Sequence, residues 1–336
     1  MRRFDIRNTG HYLVQYRLLV MLVAVAVFGG ISLPDFLAVH TFQSILDRAS
    51  TVGFLALALT PLLIAGQIDL SIGSILSLSG LATIYFQPFI GNVPAALVGL
   101  GVGVIAGFIN AALVVFLKIS SLVATLATLL IFASLALLVT NSQPLSSDDP
   151  LFGISLTSQF LAILSPRSAL FLLAAVLMFV WLRTTPSGRS LYAVGSNLPA
   201  ATSAGINANG YLVAAFVISG FFSGAAGVLQ SLSTATGSPI AGSVMLIPAI
   251  TAVVIGGTRL EGGRGSSLAT LGGVLALGAL TTLLEYNNVP SYTQAVYTGV
   301  LLILLITLDR LVDRDEPSTS RARKRARVAP TAPRNS

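Results

Sequence analysis

Hydrophobic runs of near-membrane length recur along this chain, parted by short polar breaks. A transmembrane helix needs about 20 predominantly apolar residues, fewer where it is broken or partly buried in protein. That criterion predicts helices near 18–34, 50–65, 72–86, 94–117, 121–140, 168–182, 211–232, 246–257, 267–284 and 292–308. The runs at 50–65, 72–86 and 246–257 are short, as expected of discontinuous or re-entrant helices. The expected fold class is an all-α integral membrane protein with about ten transmembrane helices, some of them discontinuous.

The pattern is interrupted most sharply by one acid. Between Ser50 and Leu182 the charged residues are Asp69, Lys118, Asp148, Asp149 and Arg167. Asp69 stands in GQIDLSIGS, Gly66 to Ser74, with apolar sequence on both sides. A carboxylate at bilayer depth is costly unless it faces protein or water. Broken helices are tolerated there only where they pack on protein or line a cavity.

Composition narrows the class. The chain is 54% hydrophobic and 9% charged, with mean hydropathy +0.86; soluble domains carry roughly 25% charge. The longest internal polar stretch runs from Arg183 to Gly210, too short for a separate catalytic domain. There is no Cys, which removes disulfides and thiolate chemistry, and the two His, His11 and His40, make no metal cluster. The expected organisation is a cytoplasmic N-terminus at 1–17, retained and not cleaved as a signal peptide, a transmembrane domain at 18–310 and a basic, disordered tail at 311–336.

The net charge of +7 gathers at the ends and in the loops. Arg2, Arg3, Arg7 and Arg17 precede the first helix and place the N-terminus inside by the positive-inside rule. Alternation then brings Lys118, the Arg183–Arg189 segment, Arg259, Arg264 and the tail cations Arg321, Arg323, Lys324, Arg325 and Arg327 to the same side. Arg48 and Arg167 are the exceptions. The tail reads as a partner for anionic membrane lipid, not for nucleic acid.

Three segments stand out from the apolar background. In the first, Gly66 and Gly73 permit turns, and Ser71 and Ser74 are placed to cap the next helix by accepting from its free N–H groups. Asp69 suits the same helix terminus electrostatically; the break equally suits a translocation path, with Gln67, Asp69, Ser71 and Ser74 as its candidates. The second, Ser187 to Asn207, holds Pro199-Ala200-Ala201-Thr202-Ser203-Ala204 closed by Gly205, a start-and-stop signature for a short surface helix. The third, Gly256 to Gly273, carries Glu261 and Arg264 three apart in a glycine-rich loop, spaced to pair with each other. It lacks the Gly-Lys-Ser/Thr ending and the preceding strand of a phosphate loop. Pro61…Asp69…Gly73-Ser74 and Pro248…Glu261…Gly265-Ser266 also look loosely alike, as two interrupted segments of a transporter do.

At these residues the chain resembles the permease subunits of bacterial ATP-driven (ABC) importers, in the branch serving ribose, other monosaccharides and autoinducer-2. The resemblance spans roughly Phe36 to Asp309. It rests on GQIDLSIGS (Gly is usual at the position of Gln67), on Gly188-Arg189…Tyr192-Ala193-Val194-Gly195…Asn197, and on Pro248-Ala249-Ile250-Thr251-Ala252-Val253-Val254-Ile255-Gly256-Gly257-Thr258 followed by Gly262-Gly263-Arg264-Gly265-Ser266. Importer permeases carry a docking loop of Glu-Ala-Ala followed three residues on by Gly. Ala200, Ala201 and Gly205 match its register, while Pro199 replaces the acid.

The resemblance implies an inner-membrane assembly of two permeases, two ATPase subunits and a periplasmic sugar-binding protein. ATP would be used by the separate ATPase and no cofactor held by this chain. The ATPase-docking candidates are then Arg189, Asn197, Pro199, Ala200, Ala201, Ala204 and Gly205, with Glu261 and Arg264 on a secondary loop. The rival readings are an ion-coupled or passive transporter using Asp69 as a relay, and an integral membrane enzyme. The latter is poorly served by the scattered Asp69, Glu261 and Glu285.

Overall fold

The computed structural model of the protein describes residues 17–32, 36, 38–159 and 163–314. In chain order its helices are α1 (Arg17–Ser32), α2 (Val39–Ile64), α3 (Ile72–Ile90), α4 (Asn92–Ala111, prolonged by a π-turn at Ala112–Phe116), α5 (Ser121–Val139), α6 (Pro150–Thr157) and α7 (Pro166–Thr184). They continue with α8 (Pro186–Ser196), α9 (Leu198–Ser203), α10 (Ala208–Ser233), α11 (Leu246–Ile255), α12 (Ser267–Tyr286) and α13 (Ser291–Arg314). Seven of these, α2, α3, α4 with its π-turn, α5, α7, α10 and α12, are long and apolar enough to cross a membrane. The apolar parts of α1, α11 and α13 (Leu18–Ser32, Leu246–Ile255 and Ser291–Thr307) are shorter. Of the expected N-terminus at 1–17 and tail at 311–336, residues 1–16 and 315–336 lie outside the described residues, and α13 runs on to Arg314, so the first four residues expected in the tail are helical.

Each predicted run has become a helix, but the predicted discontinuities have not all survived. The run at 50–65 is the C-terminal part of a 26-residue helix that begins at Val39. Sequence pattern missed its first turns because Asp47 and Arg48 look like loop residues. Both have distant partners: Ser165 Oγ donates to Asp47 Oδ1, and Arg48 pairs with Glu285. The 72–86 run is likewise a full 19-residue helix. Only 246–257 stays short, as the ten-residue α11.

Helix α2 is the axis of the core. From Gly53 to Ala65 it is buried on every side, with Leu55, Leu57, Leu59 and Leu62 fully enclosed. A helix apolar all round is expected to be enclosed in this way. α10, α11 and α12 pack around it, while α4, α5 and α7 present apolar residues such as Ile105, Leu130 and Leu177 outward. A two-residue antiparallel pair, Leu145 opposite Gly237 and Ser146 opposite Thr236, ties the α5–α6 connection to the α10–α11 connection.

The most extensive helix contact is between α4 and α10. A Cβ on Gly103 would lie 2.5 Å from the carbonyl oxygen of Gly220, and one on Gly220 would lie 2.2 Å from that of Gly103. Small residues let helices approach to backbone contact in lipid, where apolar burial gives little drive for association. Gly101, two residues along, has no neighbour within 4 Å of an added Cβ. Gly103→Leu is therefore expected to destabilise the protein by about 1–3 kcal/mol or more. Gly101→Ala should be neutral or stabilise by up to about 1 kcal/mol through helix propensity. Thermal unfolding in detergent distinguishes the two, and equal melting temperatures would remove the α4–α10 contact from the fold's determinants.

Candidate functional site at two helix breaks

The first break opens with a full accounting of the last four carbonyls of α2. Ala65 N–H donates to Pro61 O (3.0 Å), Gln67 N–H to Leu62 O (2.9 Å) and Gly66 N–H to Leu63 O (3.0 Å). Gly66 takes the left-handed conformation, φ 73°. With the Gln67 and Gly66 bonds this is a Schellman stop. The fourth carbonyl, that of Ile64, accepts from Gly263 N–H of the second break at 2.8 Å.

Three segments singled out in the sequence thus meet at one point. A Cβ on Gly195, in α8, would fall 1.8 Å from Ile64 O and 2.9 Å from Gly263 N. Gly262, at φ 92°, has the Gly66 backbone 2.9 Å from its Cβ position and the Gly195 carbonyl at 2.7 Å. Only glycine admits this three-way backbone contact. The two loosely similar breaks therefore pack directly on each other.

Beyond Gly66 the chain carries Asp69 into the interior, where it is fully buried. Its Oδ1 accepts from Ser71 N–H at 2.9 Å and from Ser71 Oγ at 2.6 Å. Asn110 Nδ2, on α4, donates to both oxygens at 3.3 and 3.4 Å, and Ser219 Oγ, on α10, to Oδ2 at 3.3 Å. Asn110 also donates to Ser71 Oγ (2.7 Å), and its own oxygen accepts from Thr128 Oγ1 of α5 (2.7 Å). The break backbone is held as well, through Leu70 N–H to Thr125 Oγ1 at 3.1 Å.

Neutral donors from three elements thus satisfy one buried carboxyl. Burying such a group is tolerable only with that degree of hydrogen bonding. The arrangement corrects three expectations. Ser71 is the N-cap of α3 but accepts no helix N–H through its side chain, and Ser74 Oγ donates to Ser71 O at 2.8 Å. Asp69 instead accepts from the N–H and hydroxyl of the N-cap residue itself. Gly73 makes no turn, being helical; it lets the start of α3 touch the loop at Gly242, whose oxygen would be 2.5 Å from a Cβ. Of the four path candidates, Asp69, Ser71 and Ser74 are buried in packed protein, while Gln67 is half-buried.

The second segment folds as its signature requires. Asn197 Oδ1 accepts from Ala200 N–H at 3.0 Å to start α9, with Pro199 in its first turn. Gly205, φ 82°, ends it, with Gly205 N–H to Thr202 O and Ile206 N–H to Ala201 O at 3.0 and 3.1 Å. Ala200 and Ala204 are exposed on one face, whereas Ala201 is 5% exposed and packs into the core. Arg189 stands apart from this helix, donating to Thr184 O at 3.0 Å.

In the third segment Glu261 and Arg264 are both exposed, and the pair expected from their spacing is absent among the described residues. Gly262 and Gly263 both take positive φ, so three residues do not span a helical turn there. The loop closes through Arg259 N–H to Arg264 O at 3.1 Å. Tyr192 of α8 donates its hydroxyl to Gly265 O at 2.8 Å. Burial raises the Tyr192 phenol above its ordinary pKa, against a smaller lowering by Arg183, so it keeps its proton for that bond.

Sequence reading missed the donors to Asp69. The signal was there in Asn110, an amide deep in apolar α4, and in Thr125 and Thr128 of α5, which hold the Leu70 N–H and the Asn110 oxygen around the cluster. It also left Arg167 unexplained. That residue is 8% exposed and donates to Thr51 and to Gln230. A cation anchored inside the protein does not count in the loop bias that sets orientation.

The chain matches, over residues 41–305, the family model described as branched-chain amino acid transport system / permease component. It belongs to that family. The ribose import permease protein of Haemophilus influenzae is 30% identical over 309 residues, covering 89% of this chain and 94% of that protein. The ribose import permease protein of Bacillus subtilis is 33% identical over 296 residues, 87% of this chain and 90% of its own length. The autoinducer 2 import system permease protein of Escherichia coli is 30% identical over 293 residues, at 85% and 88% coverage. No solved structure matches. The chain is thus a multi-pass importer permease of the branch that its motifs resemble.

Asp69→Ala removes the acceptor for four buried donor groups and is expected to cost about 3–5 kcal/mol. Asp69→Asn keeps one acceptor oxygen and should cost about 1–2 kcal/mol. Unfolding midpoints in detergent check the order, and an Asp69→Ala protein as stable as wild type would mean that the cluster is not needed for the fold.

Proposed function

We propose that this chain is the membrane-spanning permease subunit of an ATP-driven importer that takes in a monosaccharide or related small solute across the inner membrane. The observation that carries the reading is the similarity to ribose import permeases along nearly the full length of both chains. In this reading ten helices cross the membrane, both termini are cytoplasmic, and a second permease completes the pathway. A periplasmic binding protein delivers the solute, and ATP is hydrolysed by a separate ATPase subunit. The break at Gln67, Asp69, Ser71 and Ser74 shapes the path by fixing where α3 starts, with Asp69 organising the wall instead of touching the solute.

The ATPase docks, in the same reading, on α9. Its exposed residues are Leu198, Pro199, Ala200, Thr202 and Ser203, with the C-cap Ala204 exposed just past its end. Ala200 and Ala204 are four apart and share a side of the helix. Residues Asn197 and Gly205 fix its two ends, and α8 links it to the Ile64 junction through Gly195. Ala201 supports the helix from beneath, so it is a poor place to test docking.

Ala200→Trp and Ala204→Trp should abolish co-purification of the ATPase subunit and reduce sugar uptake severely. The permease itself should change by no more than about 0.5 kcal/mol, as for other exposed sites. Normal assembly and uptake in both variants would move docking to the loop bearing Glu261 and Arg264. Uptake that proceeds without any ATPase would instead favour a passive or ion-coupled transporter. Orientation is checked by single cysteines in this cysteine-free chain: Ser196→Cys should resist, and Asp148→Cys accept, a membrane-impermeant thiol reagent added from the periplasmic side.

A further inference from the structure

Between the end of α7, the first turns of α8 and the start of α12 lies a cavity of about 260 Å³. Two guanidinium groups line it, Arg183 and Arg189. Arg183 lies 5.7 Å from the ring centre of Phe179, and Arg189 is pinned by its bond to Thr184 O. Among the described residues neither meets a carboxylate, and no acidic residue lines the cavity. An arginine presents five N–H donors in a planar fork that suits phosphate. Most of that capacity is unused here. Gly265, Ser266 and Ser267 form the opposite wall, where the first turn of α12 has no side-chain cap and presents the positive end of the helix.

The surroundings say which phosphate fits. Along α7, Val176, Phe179 and Arg183 follow one another at helical spacing of three and four, with Val176 47% exposed. Leu268, 41% exposed, stands on the α12 side. An apolar track thus leads up to the two cations, as an acyl chain leads to its headgroup at the membrane boundary. We propose that Arg183 and Arg189 hold the phosphate of an anionic phospholipid in this cavity, with its acyl chain laid along α7. The site is distinct from the basic tail. It adjoins the Tyr192–Gly265 bond, so a bound lipid would brace α8 against the start of α12.

The test uses the purified full-length permease without its partners, so that failure of docking or of solute assignment does not affect it. Native mass spectrometry counts retained phospholipid after titration with phosphatidylglycerol or phosphatidylcholine. Wild-type protein should retain phosphatidylglycerol in preference. Arg183→Gln combined with Arg189→Gln should weaken that binding by roughly tenfold or more, and Arg183→Lys with Arg189→Lys by less. The tail variant Arg321→Gln with Arg323→Gln, which loses the same charge, should keep the tightly held lipid. An unchanged lipid-free melting temperature shows that the variants are folded. Equal retention of the two lipids by wild type, or undiminished phosphatidylglycerol binding in the double glutamine variant, would overturn the proposal. Inorganic phosphate displacing phosphatidylglycerol at equal concentration would assign the cavity to free phosphate instead.

Discussion

A helix that ends inside protein must find acceptors' partners for its last carbonyls, and at α2 one of them is met only from far along the chain. Three carbonyls are closed by the local turn at Gly66. The fourth, Ile64, depends on Gly263, and that bond exists only because Gly195 lets α8 approach without a side chain. An unmet buried carbonyl costs roughly 1–3 kcal/mol. The constraint therefore fixes α2, the second break and α8 together. α2 is the axis on which α10, α11 and α12 pack, so much of the interior inherits its position from this contact.

Just past the same turn the chain meets a second requirement, the burial of Asp69. The solution uses no cation. Donors arrive from Ser71, Asn110 and Ser219, and Thr128 orients the amide of Asn110. Such a cluster specifies one geometry, since a displaced element leaves buried donors or acceptors unpaired. The segment from Gly66 to Ser71 is thus held at one end by backbone and at the other by side chains. Displacing α8, which continues directly into α9, would load the first of these holds.

How much of this was legible in the sequence follows from the range of each interaction. Lipid asks every span for a long apolar run, so the seven membrane-length helices were visible as runs, and α9 was visible because its cap and stop are local, at Asn197 and Gly205. The early turns of α2 were hidden because Asp47 and Arg48 are answered from Ser165 and Glu285, more than a hundred residues away. Asp69 was recognised as exceptional, but its donors on α4 and α10 could not be assigned without the packing. Ser71 and Ser74 were misassigned as caps since spacing alone does not tell an acceptor from a donor. The docking candidates were legible as a helix and not as a face: Ala201 turned inward, which only the fold decides.

The two breaks also show why their likeness in sequence did not carry over to structure. Each has a proline-started apolar run, an acid and a Gly-Ser before the next helix. In the first, the acid is drawn inside and the loop is fastened by side chains. In the second, Glu261 stays in the open and the loop is fastened by backbone, through Gly263 to Ile64 and Arg259 to Arg264. The difference traces to glycine: the paired Gly262 and Gly263 supply two left-handed residues after the acid, turning it outward, where the first break has only Gly66 before it. A backbone-held loop packed on a side-chain-held one gives a contact that survives substitution of Glu261 far better than substitution of Asp69. Sequence similarity between the breaks thus reflects a shared need to stop one helix and start the next, not a shared chemical task.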